Sequence, residues 1–310
     1  MQIPESDRKK PTSEEIDALL RERRNWGRWG ASGSAGAMNM VTPEKRRRAA
    51  DLVKSGRAVS LSRPLPVQPS TENPQPVHHY MRVSLFEDGS GGAAMDYIGI
   101  YQHGFSVTHI DALCHHWGGD GMWDGHDPGR EIGFDGARQG SVDAWSDGVM
   151  TRGVLLDVPK HRGRPYVEVG SPVHGWELEE IAAAQGVELE PGDALLLNCG
   201  RESYAADHGG IFYDPPSYPG VHPSCMEFIR DHDVALLGWD MSDDPSSEYG
   251  MARTVHAVLS AFGVAIVDNA LLEPLAQACA EEGRYEFMLT VNPLIVVGGT
   301  GSPVNPIATF

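Results

Sequence analysis

From Gly153 onward the chain alternates short apolar runs with amphipathic stretches, and that alternation restricts the folds open to it. Val154–Val158, Ala194–Asn198, Val234–Leu237, Ala265–Val267 and Phe287–Val291 read as strands. Between them, Trp176–Ala184, Pro223–Arg230, Ala252–Phe262 and Leu272–Glu282 read as helices. Gly186, Gly263 and Gly283 stand where three of these should stop. Strands so short and so uniformly apolar are covered on both faces, which is the pattern of an α/β layered domain. With 310 residues, 41% of them hydrophobic, there is ample core for it. No repeat or clear linker divides the chain, so one domain spanning 25–310 is expected, preceded by an arm, 1–24.

The arm is polar and carries one short amphipathic helix. Ser13 is the expected cap, Glu14 and Glu15 suit the first turn, and Ile16, Leu19 and Leu20 form the apolar stripe. Next comes NWGRWGASGSAGAMNM, a glycine-rich segment without the lysine of a phosphate loop. Its indoles, Trp26 and Trp29, either anchor irregular backbone or wall a substrate pocket. Thr42-Pro43-Glu44 opens a helix that Gly56 should close, and its Lys45–Arg48 run is a solvated face. Tyr80–Phe86 and Met95–Tyr101 flank a glycine turn as a pair of strands, and 118–150 reads as a long loop.

Charge narrows the function. A formal net charge of -18 opposes binding to nucleic acid or to an anionic membrane surface. Cys114, Cys199, Cys225 and Cys279 lie far apart without a paired motif, as in a reducing compartment. No apolar run approaches a membrane span and MQIPESDRKK lacks a signal-peptide core, so a cytoplasmic location is expected.

Chemistry concentrates in HGFSVTHIDALCHHWGGDGMWD, His103 to Asp124. On extended backbone His109 and Asp111 fall on one face, side by side, a nitrogen and an oxygen donor suited to a borderline divalent cation. His115 follows as a further ligand or a proton carrier. A lone histidine on a strand is usually a satisfied structural residue, but leaving three such groups unpaired among Ile110, Ala112 and Leu113 would cost several kcal/mol. His256 and Asp268 are candidates to complete the site; each has a plain alternative, a packed helix residue and a turn former. Asp240 is a similar strand-end carboxylate. Serine chemistry finds no nucleophile elbow, and Cys114 and His115, being adjacent, point apart.

These residues resemble the cyclase family of metal-dependent hydrolases, which includes bacterial kynurenine formamidase and isatin hydrolase. Its signature runs His-x-x-x-His-x-Asp-x-x-x-His, and Thr108-His109, Asp111 and His115 match the last three positions. Pro191–Leu196, Val255-His256 with Leu259, and Gly298–Val304 extend the likeness, and NWGRWG with the later WDG is similar to a longer branch of the same family. The resemblance implies a swivelling β/β/α cyclase-like fold, a homodimer or homotetramer, and a manganese or zinc site. It implies His109, Asp111 and Asp268 as metal ligands, with His115 and His256 as active-site histidines. The family's first histidine falls at Phe105, which cannot coordinate. Either His103 substitutes, or the ion moves toward His256 and Asp268, or it is lost.

The expected activity is hydrolysis of an amide, lactam or lactone of a small cyclic or aromatic substrate by a metal-activated water. Trp26, Trp29, Trp117 and Trp123 are the candidate aromatic wall. The alternatives are ring closure or dehydration at the same site, and a metal-free ligand-binding homologue.

Overall fold

The computed structural model describes residues 8–211, 218–245 and 249–310, so the first seven residues of the expected arm lie outside the described residues. In chain order the strands are β1 (Ala58–Ser60), β2 (His78–Leu85), β3 (Gly92–Gly99), β4 (His109–Asp111), β5 (Ile132–Gly133), β6 (Gly136–Ala137), β7 (Val149–Asp157), β8 (Ala194–Asn198), β9 (Leu236–Trp239), β10 (Ala265–Asp268), β11 (Glu286–Val291), β12 (Gly301–Pro303) and β13 (Ile307–Thr309). Nine of them form one sheet in the order β1-β13-β11-β7-β8-β9-β10-β4-β12. Its centre, β7 to β10, is parallel, and antiparallel strands extend it on both sides. The alternation read from Gly153 onward is this parallel centre, with β8, β9 and β10 buried along their whole length.

Four boundaries differ from expectation, each for a local reason. The first helix, Ser13–Glu22, is capped by Thr12 rather than Ser13, because Thr12 and Glu15 close a reciprocal capping box. It packs Ile16 into the core. Helix Pro43–Ala50 stops at Asp51, and Gly56 lies beyond it in the turn before β1. The stretch 118–150 is more ordered than a loop, holding short helical turns, the β5–β6 hairpin and the start of β7. The helix expected over 252–262 begins only at Ala257. His256 is its N-cap, and the His256 N–H is directed to the Asp243 carboxylate (3.3 Å).

The glycine-rich segment 30–40 is a 3-10 run broken at Gly36, where φ is 57°. There the backbone presses against the end of helix Ala257–Phe262, and the Ala37 N–H donates to the Gly263 carbonyl (2.7 Å). A Cβ on Gly36 would sit 2.4 Å from that carbonyl oxygen and 2.6 Å from Leu113. This close approach braces the helix that His256 caps from behind.

Gly36→Ala is therefore expected to destabilise the fold by roughly 3 kcal/mol or more, combining left-handed strain with overpacking. Gly27→Ala, at φ 70° but in open space, should lose only about 1 kcal/mol. Denaturant unfolding of the two variants checks the contrast.

Candidate metal centre

β4 is three residues long and is held on both sides, Asp111 opposite Ile266 of β10 and Gly301 of β12, and His109 opposite Asp268 and Pro303. Alternation sends Ile110 into the core and leaves His109 and Asp111 on one face, as the spacing predicts. His103 arrives differently. Residues 103–107 form a bend rather than a strand. Arg201 donates to the Phe105 carbonyl, and the Asn269 side chain donates to the carbonyls of Gly104 (2.6 Å) and Val107 (3.2 Å). That loop swings the His103 ring onto Asp111, while Phe105 is exposed.

The donor atoms converge. From Asp111 Oδ1, His103 Nδ1 lies at 2.9 Å, His109 Nε2 at 3.2 Å and His115 Nε2 at 4.0 Å. On the other side, His256 Nε2 is 3.7 Å from Asp111 Oδ2 and 3.6 Å from Asp268 Oδ2. Two groups of three donors result, His103–His109–Asp111 and Asp111–His256–Asp268, with Asp111 common to both.

Each outer ring nitrogen is occupied elsewhere. His109 Nδ1 donates to the Val107 carbonyl (2.8 Å), His103 Nε2 pairs with the Thr300 hydroxyl (2.8 Å), and His256 Nδ1 pairs with Asp243 Oδ2 (2.5 Å). The carbonyl and the carboxylate can only accept, so His109 and His256 turn their Nε2 lone pairs inward, and the Thr300 hydroxyl does the same for His103 when it accepts from Nε2. Asp111 is fully buried, yet neither of its oxygens accepts a hydrogen bond among the described residues. His103 Nδ1 is likewise without a hydrogen-bond partner among the described residues. Lone pairs facing lone pairs at such distances demand a positive charge between them, from protons or from a cation. The donor set therefore fits a divalent ion.

Without an ion, protons do this work. Burial opposes a charged His109, but the Asp111 carboxylate outweighs it and lifts the His109 pKa to about 9. Burial would raise Asp111, and the imidazoles of His109 and His115 instead hold it well below the usual carboxylate range. Burial pushes His115 down to about 4, aided by neighbouring His103 and His256 and only partly opposed by Asp111. His115 is consequently neutral at physiological pH. Its ring stacks on His103 at 3.7 Å between centroids, and its side chain remains 28% exposed.

Several residues that sequence reading passed over hold this geometry. Asp243 fixes His256; Thr300 fixes His103; the Trp239 indole donates to Asp268 Oδ1. A Cβ at Gly301 would strike the His103 ring at 2.9 Å, so glycine there leaves room for the imidazole. His116 stands beside His256, ring centroids 5.8 Å apart. Asp240 lies apart from the cluster: it accepts the N–H groups of Cys199, Gly200 and Arg201 at a helix start. Burial raises its pKa to about 6. Cys114 is buried, its thiol pushed up to about 12.

The four tryptophans separate. Trp123 is buried and donates to the Gly33 carbonyl (2.7 Å), Trp29 packs on it at 5.9 Å, and Trp26 donates to the Ser260 carbonyl (2.7 Å). Those three tie the glycine-rich segment to the body. Trp117, two residues past His115, is 41% exposed.

Fold and site together define an α/β protein with a buried imidazole–carboxylate cluster, able to hold a cation, at the junction of β4 and β10. The chain belongs to the cyclase family: the family model described as putative cyclase matches residues 59–243, more than half of the 310. A crystal structure of a novel cyclase is similar at a TM-score of 0.79 and 29% identity, covering 94% of this chain and 99% of that one. Isatin hydrolase A from Labrenzia aggregata, bound to benzyl benzoate, shares the fold at 18% identity and a TM-score of 0.56, with coverage of 84% and 94%. Isatin hydrolase A from Ralstonia solanacearum does so at 18% and 0.54, with coverage of 81% and 91%. No curated protein matches the chain.

Two outcomes are expected. In chelator-treated protein, the His109–Asp111 pair contributes stability fully below the ordinary histidine pKa of 6.5 and loses it as pH rises through about 9. Thermal melts should therefore fall over that window, and less so in His109→Gln. Asp243→Asn should weaken binding of a divalent cation about 10- to 100-fold, measured by competition with a chelating dye, because the His256 ring loses the partner that sets its tautomer.

Proposed function

We propose that this protein is a metal-dependent hydrolase that opens an amide, lactam or lactone bond in a small cyclic or aromatic substrate. The observation that carries the reading is Asp111, wholly buried, with neither oxygen hydrogen-bonded among the described residues and three imidazole nitrogens close by. His103, His109 and Asp111 would hold the ion, with Asp268 and His256 as the second group of donors. Nitrogen and carboxylate donors in this mixture suit zinc or manganese. Such an ion, when bound, lowers the pKa of water toward neutrality and polarises a carbonyl.

The chain's own groups supply the rest. Neutral His115 takes the proton of the attacking water and returns it to the leaving nitrogen or oxygen. Its depressed pKa keeps it unprotonated at working pH, and its partial exposure puts it at the mouth of the site rather than in its floor. Asp243 holds the His256 ring so that Nε2 faces inward. Phe105 and Tyr218, ring centroids 6.5 Å apart, and exposed Trp117 offer aromatic surface to a flat substrate. Burial, with Asp243, Asp244 and Asp268 nearby, pushes the Tyr218 phenol up to about 12, so it stays a hydrogen-bond donor.

The family's description as cyclases supports a second reading, ring closure with loss of water at the same centre. Among the described residues no helix is long and apolar enough to cross a membrane. Four free, buried cysteines suit the cytoplasm, where we place the protein.

Elemental analysis of protein purified without added metal, followed by a screen of amides, lactams and lactones, tests the reading. Hydrolysis adds one water to the product mass, whereas cyclisation removes one. His115→Ala should keep its metal and lose about 10²- to 10⁴-fold in kcat. Undiminished turnover after exhaustive chelation would refute the mechanism.

A further inference from the structure

Three of the side-chain atoms buried without a hydrogen-bond partner among the described residues belong to the metal centre: both Asp111 oxygens and His103 Nδ1. A fourth, Nδ1 of His116, lies beside that centre and serves neither of its groups of donors. A buried polar atom left unmade costs more than a made bond returns, and each one in a native fold has a reason. The turn after β4 is what brings His116 there. The His115 N–H donates to the Ala112 carbonyl (2.9 Å) and the Cys114 N–H to the Gly140 carbonyl (3.0 Å), so the backbone curls instead of continuing extended. Consecutive imidazoles, which a strand would send apart, then both reach His256, with ring centroids 6.4 Å away for His115 and 5.8 Å for His116.

The two rings divide the centre between them. His115 stacks on His103, on the side of the group His103–His109–Asp111, and His116 stands against His256, on the side of the group Asp111–His256–Asp268. A ligand's role does not suit His116. Each ring in the two groups has its outer nitrogen tied to a protein partner, the bond that orients a metal-binding imidazole, and His116 has no such bond among the described residues. Nor is it a packing residue of the interior: it is half-buried, and the next residue, Trp117, is exposed. His116 therefore stands where the site opens, with one polar atom to offer whatever enters.

We propose that His116 is a substrate-binding residue whose Nδ1 hydrogen-bonds a polar group of the substrate other than the carbonyl that the ion polarises. The inference rests on the metal-hydrolase reading and deepens it. The substrate class narrows to small molecules that carry a second hydrogen-bonding group, placed on the His256 side of Asp111. An analogue of the same shape without that group leaves Nδ1 buried and unmade, which is how a polar site rejects an apolar competitor. The adjacent histidines thus have separate tasks: His115 moves the proton, and His116 fixes where the substrate lies.

Calorimetric titration of benzohydroxamate into the metal-loaded protein tests this without needing turnover, since the probe's two oxygens chelate an ion and its N–H is left for a neighbour. His116→Leu is expected to weaken the probe about 10-fold or more, the worth of a buried hydrogen bond. Its metal affinity, by competition with a chelating dye, and its thermal melt should match wild type. His116→Asn, whose amide reaches about as far as Nδ1, should recover most of the loss. With a substrate found in the amide, lactam and lactone screen, His116→Leu should raise KM about 10-fold or more while kcat stays within about threefold, the reverse of His115→Ala. Equal probe affinity in wild type and His116→Leu overturns the proposal, as does a metal-loaded wild type that ignores the probe. Loss of metal from His116→Leu overturns it too, by making His116 a ligand. A wild type that binds metal and probe but hydrolyses nothing refutes the hydrolase reading alone, and the titration still decides the role of His116.

Discussion

One buried carboxylate organises this molecule. Asp111 is buried and, among the described residues, no donor bonds its oxygens; what surrounds it are the ring nitrogens of His103, His109 and His256. Burying an ionised carboxylate costs several kcal/mol unless a positive charge is supplied. The protein arranges that supply by committing each outer ring nitrogen to a different partner: a carbonyl two residues away, a hydroxyl near the C-terminus, a carboxylate after β9. The tautomers of His109 and His256 and the orientation of His103 are thereby set before any ion arrives, and pre-set ligands lose little freedom on binding.

The sheet makes this possible by splicing antiparallel strands onto a parallel centre. Parallel strands present their carboxyl ends to a crevice, where Asp268 ends β10. β4 runs the other way beside it, so His109 lies opposite Asp268 in the ladder. A short, doubly flanked strand is thus enough to hold the histidine and aspartate rigidly, while the neighbouring bend can bring in His103.

Much of this was legible in the sequence, unevenly. The parallel centre followed from apolar runs punctuated by glycine, because helix C-caps and buried strands depend on local chemistry. The pairing of His109 with Asp111 followed from period-two alternation alone. Phe105 obscured the next ligand: alternation would have kept His103 on a strand, whereas its position depends on Arg201 and Asn269 gripping the 104–107 backbone from distant segments. Asp243 was invisible for the same reason, and Thr300 stood out only as part of Gly298–Val304 without a role, since no spacing rule links either to the ring it fixes. Two readings of the tryptophans were open from sequence, anchors of irregular backbone or a substrate wall. Clustered indoles suggest a pocket, but Trp26 and Trp123 spend their N–H groups on backbone carbonyls in the packing of the glycine-rich segment.

The wiring of His103 has a consequence for assembly. Thr300 precedes β12, the edge strand that docks beside β4, and Gly301 leaves the gap into which the imidazole turns. Until that strand seats, the ring has neither its hydroxyl anchor nor its slot. The convergence of His103 with His109 and Asp111 therefore depends on a strand from the far end of the chain being in place beside β4.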